Sequence, residues 1–458
     1  MTGDDYRQFL ARKAQLANAG GFEPVFMPDS LFDFQQHLVG WAIRQGRSAL
    51  FEDCGLGKSY QELVWAENVY RHTGKPVLLL TPLAVGFQIV AEAEKFGVAE
   101  AAPSRDGTVT APITVTNYEQ LGKFNHEDFG GVVCDESSAI KSFEGTRRAE
   151  VTEFMRRIQY RLLGTATAAP NDYIELGTSS EALGHLGYMD MLSRFFINDA
   201  RSVSSRGRTI GGKSIDWRLK GHAAEPFWRW VSSWARALRK PSDYGFADDR
   251  FVLPKLSVRE TLVEASRPAD GKLFDMPAYG LSEEREETRR TLTERCEAAA
   301  SALADDERAV AWCHLNDESA LLTRLIDGAV EVAGHQPVEM KEERLAAFSR
   351  GEIRVLVSKP SVSGWGLNWQ HCHRMTYFPS HSWESWYQSV RRCWRFGQQH
   401  PVTVDVVTTR GGSRVLENLR RKESQADAMF AALIEHMNHA RDVDRASYDT
   451  RMELPAWV

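Results

Sequence analysis

Short, nearly continuous apolar runs recur along the first part of the chain and alternate with stretches of helical pattern. Runs of this length without polar alternation are typical of strands that are buried on both faces. The runs are SALF (48–51), PVLLLTP (76–82), ITVTN (113–117), GVVCDE (131–136) and RLLGTAT (161–167). Because strands alternate with helices, the pattern predicts a parallel sheet covered by helices.

A second series of such runs follows later in the chain: RAVAWCH (308–314), IRVLVS (353–358), RMTYF (374–378) and TVDVVTT (403–409). The pattern therefore predicts an α/β fold with two parallel-sheet units. We expect an N-terminal extension over residues 1–30, a first unit over 31–180, a basic and mainly helical insertion over 181–253, and a second unit over 254–458.

Composition agrees with a folded protein of this size. The chain has 458 residues, of which 43% are hydrophobic and 26% charged, the balance of globular domains. Its net charge of -6 excludes a generally basic nucleic-acid coat, so any contact with nucleic acid must be local. The six cysteines include no CxxC pair, which argues against a structural zinc site and a disulfide framework.

Targeting signals are not visible in the sequence. It contains no run of 18 uncharged apolar residues, and the N-terminal MTGDDYRQFLARK lacks the apolar centre of a signal peptide. These features predict a cytoplasmic protein without membrane contact.

Positive charge is concentrated in residues 201–250, which contain 11 Lys/Arg and 5 Asp/Glu, a balance of +6. We expect the tryptophans of this segment to form the apolar face of a helix that packs on the first unit. Packing does not explain the surplus charge, which predicts a surface for nucleic-acid phosphates. The residues proposed for this surface are Arg206, Arg208 and Lys213.

The strongest chemical signal is SALFEDCGLGKS (48–59), a strand, a glycine turn and a helical run. Gly55 and Gly57 allow backbone N–H groups to face phosphate oxygens, and the helix N-terminus adds positive potential. Lys58 can reach the β- and γ-phosphates, and Ser59 can ligate Mg²⁺. The usual first glycine of the GxxxxGK pattern is replaced by Glu52.

Two acidic residues, Asp135 and Glu136, follow the apolar strand at 131–134. Ligands of open α/β sheets bind at the carboxyl ends of the strands, so both carboxylates should face the phosphate loop. Asp135 can hold Mg²⁺ and Glu136 can deprotonate an attacking water. A strand that ends in two surface acids is the alternative, as is an ordinary small-residue turn for Thr165 and Thr167 nearby.

The second unit contributes WYQSVRRCWRFGQ (386–398). If this stretch is helical, Gln388, Arg392 and Arg395 share one face. Two guanidiniums on one face can stabilise a phosphoryl-transfer transition state, as arginine fingers do. A solvated basic helix is the alternative, although it leaves the spacing through Gln398 unexplained.

Taken in chain order, these motifs resemble those of superfamily 2 helicase/translocase motors. The similarity is greatest to chromatin-remodeller-type ATPases and their compact bacteriophage-type relatives. The matching motifs are FQQH (34–37), DCGLGKS (53–59), TPLAVGFQIVAEAEKF (81–96), TNYE (116–119), DESS (135–138), GTAT (164–167), SGWGLN (363–368) and QSVRRCWRFGQ (388–398). The remodeller-like branch also has an acidic residue in place of the first glycine, whereas Ser138 departs from the usual DEAH or DEAD.

The resemblance implies two RecA-like lobes with ATP and Mg²⁺ between them and nucleic acid across both. It implies that Gln35 reads adenine and that Gly366 belongs to the nucleotide site. It further implies nucleic-acid contacts by the loops that contain Thr81, Pro82, Asn117 and Asn368.

Three functions are consistent with these motifs. The favoured one is an ATP-dependent motor that moves along double-stranded DNA, alone or as the motor subunit of a larger DNA-processing complex with unidentified protein partners. An ATP-gated clamp would bind nucleic acid but turn over little ATP. A P-loop kinase or transport ATPase would use the glycine loop but has no need for the second lobe.

Overall fold

The computed structural model describes residues 20–82, 85–142, 145–169, 173–198, 208–210, 213–215, 217–266, 281–364 and 368–439. Within these residues the chain forms two parallel sheets flanked by helices, which confirms the predicted fold class. We call the first sheet with its helices the first lobe, and the second sheet with its helices the second lobe.

The strands are β1 (Arg47–Glu52), β2 (Val77–Thr81), β3 (Ala101–Pro103), β4 (Ile113–Asn117), β5 (Gly131–Cys134), β6 (Tyr160–Thr165), β7 (Phe196–Asn198), β8 (Arg208–Ile210), β9 (Lys213–Ile215), β10 (Trp217–Leu219), β11 (Ala235–Leu238), β12 (Leu256–Val263), β13 (Ala309–Trp312), β14 (Ala329–Val332), β15 (Val355–Ser358), β16 (Arg374–Tyr377) and β17 (Val402–Thr409).

The α-helices are α1 (Asp33–Gln45), α2 (Lys58–Thr73), α3 (Gly86–Phe96), α4 (Ala139–Ser142), α5 (Gly145–Arg156), α6 (Leu176–Leu183), α7 (Tyr188–Phe195), α8 (Ala224–Trp234), α9 (Leu281–Arg290), α10 (Leu292–Ala302), α11 (Asn316–Leu325), α12 (Val338–Ser349), α13 (Pro360–Ser363), α14 (Trp383–Val390) and α15 (Ser413–His439). Short 3₁₀ turns lie at Tyr118–Lys123, His126–Asp128, Tyr173–Glu175, Gly221–Ala223, Pro241–Tyr244 and Asp249–Phe251.

The first sheet has the strand order β11-β1-β6-β5-β2-β4-β3, and all neighbouring strands are parallel. Strands β2, β4, β5 and β6 are buried along their whole length, as expected for apolar runs covered on both faces. Because β1, β6, β5 and β2 are adjacent, the turns at their carboxyl ends meet at one edge of the sheet. This edge carries the site described below.

The second sheet has the order β12-β17-β16-β13-β15-β14 and is also entirely parallel. The four predicted strands of this unit form β13, β15, β16 and β17, in its centre. The edge strands β12 and β14 are additions to the prediction.

The basic segment contributes both a strand and buried side chains to the first lobe. Phe227, Trp228 and Trp234 of α8 are buried in the core of the first lobe, which confirms the predicted apolar face for this helix, whereas Trp217 lies in β10. However, β11 pairs with β1 at the edge of the first sheet, and β7 to β10 form two short antiparallel pairs. Strand β11 was expected to be part of a mainly helical insertion, and this expectation is wrong. Its four residues (ARAL) have a mixed apolar and polar pattern that carries too weak a strand signal.

Helix α15 contacts both lobes. Leu416 and Leu419 near its start are buried in the core of the second lobe. Met429, Phe430 and Leu433 near its end are buried in the core of the first lobe. The domain boundaries proposed above stay a prediction.

No helix in the part of the chain that the structure describes has the length and apolar character needed to cross a bilayer. The cytoplasmic location also stays a prediction.

Candidate functional site

A cavity of about 260 Å³ lies between the carboxyl edge of the first sheet and the second lobe. The first lobe contributes the phosphate loop at 53–59, Asp135 and Glu136 to its wall, and the second lobe contributes Arg392 and Arg395. Motifs that are more than 330 residues apart in sequence therefore meet at one cavity.

The phosphate loop connects β1 to α2 and depends on two glycines with left-handed backbone. Gly57, the residue before α2, has φ 79°, and a Cβ there would lie 2.4 Å from Nε2 of Gln35. Gly55 has φ 93°, and a Cβ there would lie 2.6 Å from the backbone N of Phe396 in the second lobe. A side chain at either position would be strained and would clash, so glycine is required at both.

Lys58 opens α2 and points at the acidic pair. Its Nζ lies 3.7 Å from Oε1 of Glu136, and both side chains are about nine-tenths buried. Burial would lower the pKa of the Lys58 ammonium, but Glu136 and then Asp135 outweigh this effect and raise the pKa above its ordinary value. Lys58 is therefore a permanent cation in the cavity wall.

Asp135 is held in place at the end of β5 by the neighbouring strands. Thr81 Oγ1 donates to its Oδ2 at 3.1 Å, and Tyr118 Oη donates to its carbonyl oxygen at 2.7 Å. Burial, and then the charge of Glu136, raise the pKa of Asp135 to about 6. A cation bound beside this carboxylate would reverse the shift.

Glu136 has the positive backbone angle φ 49°, which is costly for a residue with a Cβ. This conformation turns its side chain into the cavity, where its Oε2 accepts hydrogen bonds from Thr165 Oγ1 at 3.4 Å and Gln388 Nε2 at 3.5 Å. Glu136 therefore touches groups from both lobes, and the long distances leave room for it to engage another partner.

The predicted helical face through Gln388, Arg392 and Arg395 is wrong in one respect. Helix α14 ends at Val390, and tighter turns follow, with Arg392 N bonded to the carbonyl of Ser389 at 3.3 Å. The convergence is nevertheless correct: Gln388 Oε1 accepts from Arg392 Nη2 at 2.8 Å, and both arginines line the cavity. Gln398 does not join them, since its side-chain amide bonds the carbonyls of Cys372 and Cys393.

Arg392 is buried, and Arg395 beside it is partly exposed. Burial lowers the pKa of Arg392, and burial followed by repulsion from Arg392 lowers the pKa of Arg395 to about 10. Both remain charged at neutral pH. The buried guanidinium of Arg392 loses little further solvation when a phosphate arrives.

Gln35 lies in α1 beside the phosphate loop, where its Nε2 donates to the carbonyl of Leu56 at 2.7 Å. Next to it, the rings of Phe251 and Phe396 stack with centroids 4.7 Å apart, and Phe32 lies at right angles to Phe251. This end of the cavity thus has an apolar, aromatic wall with one amide, which suits a planar base. Sequence reasoning missed the phenylalanines.

Two buried acids lie beneath the phosphate loop. Glu52, which replaces the first glycine of the motif, is fully buried, and Gln61 Nε2 donates to its Oε2 at 2.6 Å. Burial raises the pKa of Glu52 to about 7. Burial, followed by the charge of Asp135, also raises the pKa of Glu62 well above its usual range. At neutral pH these two acids therefore carry less negative charge than exposed carboxylates would.

The residues predicted to hold Mg²⁺, Ser59 and Asp135, both line the cavity. A hydroxyl and a carboxylate are hard oxygen ligands that fit this ion, which usually binds few protein groups and takes further oxygens from phosphates and water. Within the described residues no three His, Cys, Asp or Glu side chains form a metal-binding group, so a site made by protein ligands alone is not supported there.

The residues predicted to contact nucleic acid fall in different places. Thr81, Pro82 and Asn117 line a separate small cleft at the same sheet edge, together with Phe87 and Arg105. Thr81 itself is buried and holds Asp135, so its side chain serves the nucleotide site.

The other nucleic-acid and loop predictions have different outcomes. Asn368 lines the nucleotide cavity instead of the cleft. Gly366 and Arg206 lie outside the described residues. Arg208 and Lys213 lie in the paired strands β8 and β9.

Sequence reasoning also missed a contact between the lobes that involves Asp53 of the phosphate loop. Its carboxylate pairs with Arg391 and accepts a hydrogen bond from Tyr387. An acid next to Glu52 and a second arginine next to Arg392 were the available signals, but the motif pattern assigned neither a task.

Comparisons with known proteins find relatives for part of the chain, although no family model matches it. It is 26% identical over 181 residues to the DNA annealing helicase and endonuclease ZRANB3 of Bos taurus, a match that covers 34% of this chain and 17% of that protein. It is 26% identical over 165 residues to the SWI/SNF-related matrix-associated actin-dependent regulator of chromatin subfamily A-like protein 1 of Xenopus tropicalis, with the same coverage. The chain therefore matches about one sixth of the length of these relatives.

One solved structure, the Sulfolobus solfataricus SWI2/SNF2 ATPase core in complex with dsDNA, aligns over 95% of this chain and 99% of that chain, with 14% identity and a TM-score of 0.41. The two relatives, one a helicase and the other SWI/SNF-related by name, agree with the class of protein that the motifs resemble.

Proposed function

We propose that the protein is an ATP hydrolase that couples hydrolysis to movement along DNA. The observation that carries the proposal is the meeting of Lys58, Asp135 and Glu136 from the first lobe with Arg392 and Arg395 from the second lobe at one cavity. A site shared between two lobes can convert the loss of the γ-phosphate into a change of lobe position. A P-loop kinase or a transport ATPase would use the phosphate loop but has no need for a second lobe that carries QSVRRCWRFGQ.

The side chains have separate tasks in this proposal. Lys58 and the backbone of the phosphate loop bind the β- and γ-phosphates, while Gln35 and the aromatic wall hold the base. Glu136 accepts the proton of the attacking water, since its carboxylate lies beside Lys58 in the cavity wall and Asp135 is assigned to the metal. Arg392 and Arg395 stabilise the charge on the transferred phosphoryl group.

Magnesium would be held by Ser59 and Asp135 together with the phosphates of ATP. It would supply neutralisation of phosphate charge, and its presence would lower the raised pKa of Asp135.

Duplex DNA is the proposed track. Supporting observations are the cleft formed by Thr81, Pro82 and Asn117, which carries Arg105 and the exposed Phe87, and the surplus of positive charge in residues 201–250. The names of the relatives, which refer to DNA annealing and to chromatin, point in the same direction. Movement on an intact duplex is favoured because no strand-separating pin is evident in the sequence.

ATP turnover measured without polymer, with single-stranded DNA, with duplex DNA and with RNA tests this proposal. We expect duplex DNA to give the highest turnover. Equal turnover under all four conditions would contradict a nucleic-acid motor. Tight DNA binding without stimulated turnover would instead favour an ATP-gated clamp. The Glu136→Gln variant is the control that separates turnover by this site from a contaminating ATPase.

A further inference from the structure

A buried ion pair joins the phosphate loop to the second lobe next to the nucleotide cavity. Arg391 Nη2 lies 2.5 Å from Asp53 Oδ2, and the two side chains are only 10% and 11% exposed. Tyr387 Oη donates to the other oxygen of the same carboxylate. Asp53 is thus held by two groups of the second lobe at once.

The first-lobe end of this contact is fixed by its own backbone. Asp53 N donates to the carbonyl of Leu238 in β11 at 2.9 Å, and Cys54 N donates to Asp53 Oδ1 at 2.7 Å. The carboxylate therefore has a set position at the start of the phosphate loop.

The second-lobe end is fixed by aromatic rings. The guanidinium of Arg391 lies 4.2 Å from the ring centroid of Trp394 and 5.2 Å from that of Tyr387. Trp394 is held in turn by a 2.7 Å hydrogen bond from its Nε1 to the carbonyl of Pro254. A cation stacked in this way has little freedom to leave its place.

We propose that Arg391 is a positioning residue that ties the turn carrying Arg392 and Arg395 to the phosphate loop before nucleotide binds. Arg391 directly precedes Arg392, so a bond from Arg391 to Asp53 fixes the backbone from which Arg392 reaches the cavity. The effect of Arg391 on ATP turnover rests on the proposed function. Its effect on the position of the lobes can be measured without ATP.

Helix α15 also joins the lobes, through residues buried in both cores, and further polar contacts cross between them. Arg105 Nη2 lies 3.6 Å from Glu342 Oε1, but both side chains are solvent-exposed, and exposed pairs contribute little. Thr167 Oγ1 donates to Glu384 Oε1 at 3.1 Å. A desolvated charge pair is costly to break on one side only, because the remaining charge is left buried. Losing one partner while the other stays buried is therefore less favourable than exposing both charges to water as the lobes separate.

The consequence is a closed arrangement of the lobes in the absence of ATP. Replacing one charge should lower the ratio of closed to open molecules by about tenfold, within the range measured for residues coupled in one network. Replacing both charges should lower it no further than the larger single change, because the second substitution removes a charge whose partner is already gone.

A double-mutant cycle with a distance measurement tests this assignment. Asp53→Asn keeps side-chain size, Arg391→Gln shortens the side chain but keeps it polar, and each removes one charge. Arg350→Gln is the matched control, since Arg350 forms an exposed pair with Glu352 in the second lobe. Fluorophores carried on unnatural amino acids at the exposed positions Asp128 and Asp305 report the separation of the lobes by energy transfer without nucleotide.

We expect both single variants to reduce the high-transfer population, the double variant to match a single one, and Arg350→Gln to match the parent. Unchanged transfer in Arg391→Gln, or independent addition of the two single effects, would overturn the assignment whether or not the protein hydrolyses ATP. Circular dichroism of each variant confirms that it is folded, and Arg391→Lys, which retains the charge, should restore part of the closed population.

ATP turnover then tests the catalytic consequence. If Arg391 positions the fingers, Arg391→Gln should lower kcat by about tenfold with a smaller change in KM, because the fingers act in the transition state. A rise in KM with unchanged kcat would overturn the positioning role.

Discussion

Replacing Glu52 with glutamine should stabilise the protein at alkaline pH. Glu52 is fully buried under the phosphate loop, and burial raises its pKa from 4.5 to about 7. Between pH 4.5 and about 7, Glu52 is therefore protonated in the folded protein and ionised in the unfolded chain. The contribution of Glu52 to the free energy of unfolding falls as the pH rises through this range. That contribution is fully present below pH 4.5 and is lost once the pH exceeds about 7.

The magnitude follows from the two pKa values. Their difference, at about 1.4 kcal/mol for each pH unit, corresponds to about 3 kcal/mol. Glutamine cannot ionise and has a carbonyl oxygen that can accept the hydrogen bond from Gln61. The advantage of Glu52→Gln over the parent should therefore grow by about 3 kcal/mol between pH 4.5 and pH 8.5.

Urea unfolding of parent and variant at several pH values, followed by tryptophan fluorescence, measures this difference. Glu127→Gln, at an exposed position of the same lobe, is the control for replacing a carboxylate outside the buried site. A Glu52→Gln difference that does not change with pH, or a variant less stable than the parent at pH 8.5, would refute the reasoning. It would show that Glu52 is ionised in the folded protein, close to where phosphates are proposed to bind.

Three further predictions concern the nucleotide site and the basic segment. Lys58→Ala should lose ATP affinity in equilibrium binding, whereas Glu136→Gln should bind ATP and fail to hydrolyse it; near-normal turnover by Glu136→Gln would reject its role as the base. Arg395→Ala should lower kcat by roughly 10³-fold with ATP binding largely retained, and weaker binding at unchanged kcat would reject the finger role. Neutralising Arg206, Arg208 and Lys213 of the basic segment should weaken DNA binding similarly across sequences and reduce the log-log slope of affinity against salt by roughly 0.9 per lost phosphate contact. An unchanged slope would show that the segment does not contact DNA.

Most of the fold could be predicted because parallel strands buried on both faces leave continuous apolar runs. The carboxyl ends of neighbouring parallel strands meet, so Lys58, Asp135 and Glu136 could be placed together from sequence. Strands β3, β12 and β14 are only partly buried, so they lack the continuous apolar runs that mark the buried strands. The edge position of β3, β11 and β14 also leaves less apolar surface to bury.

The remaining parts of the site depend on tertiary contacts. Helix α14 ends at Val390 without a glycine or proline, and the carbonyl of Arg392 accepts from Trp369 N at 2.9 Å in place of a helical partner. The ion pair of Asp53 with Arg391 forms only when two lobes dock. Local periodicity carries no information on either contact, which is why the helical face was extended too far and the ion pair was missed.

Displacement of a third strand from duplex DNA tests the central claim most directly, because it detects movement on the duplex itself. The account predicts that the protein displaces a triplex-forming oligonucleotide only with hydrolysable ATP, and that Glu136→Gln, although able to bind ATP and DNA, displaces none. Displacement by Glu136→Gln at the parent rate, or DNA-stimulated ATP turnover by the parent without displacement, would contradict a motor that moves along double-stranded DNA.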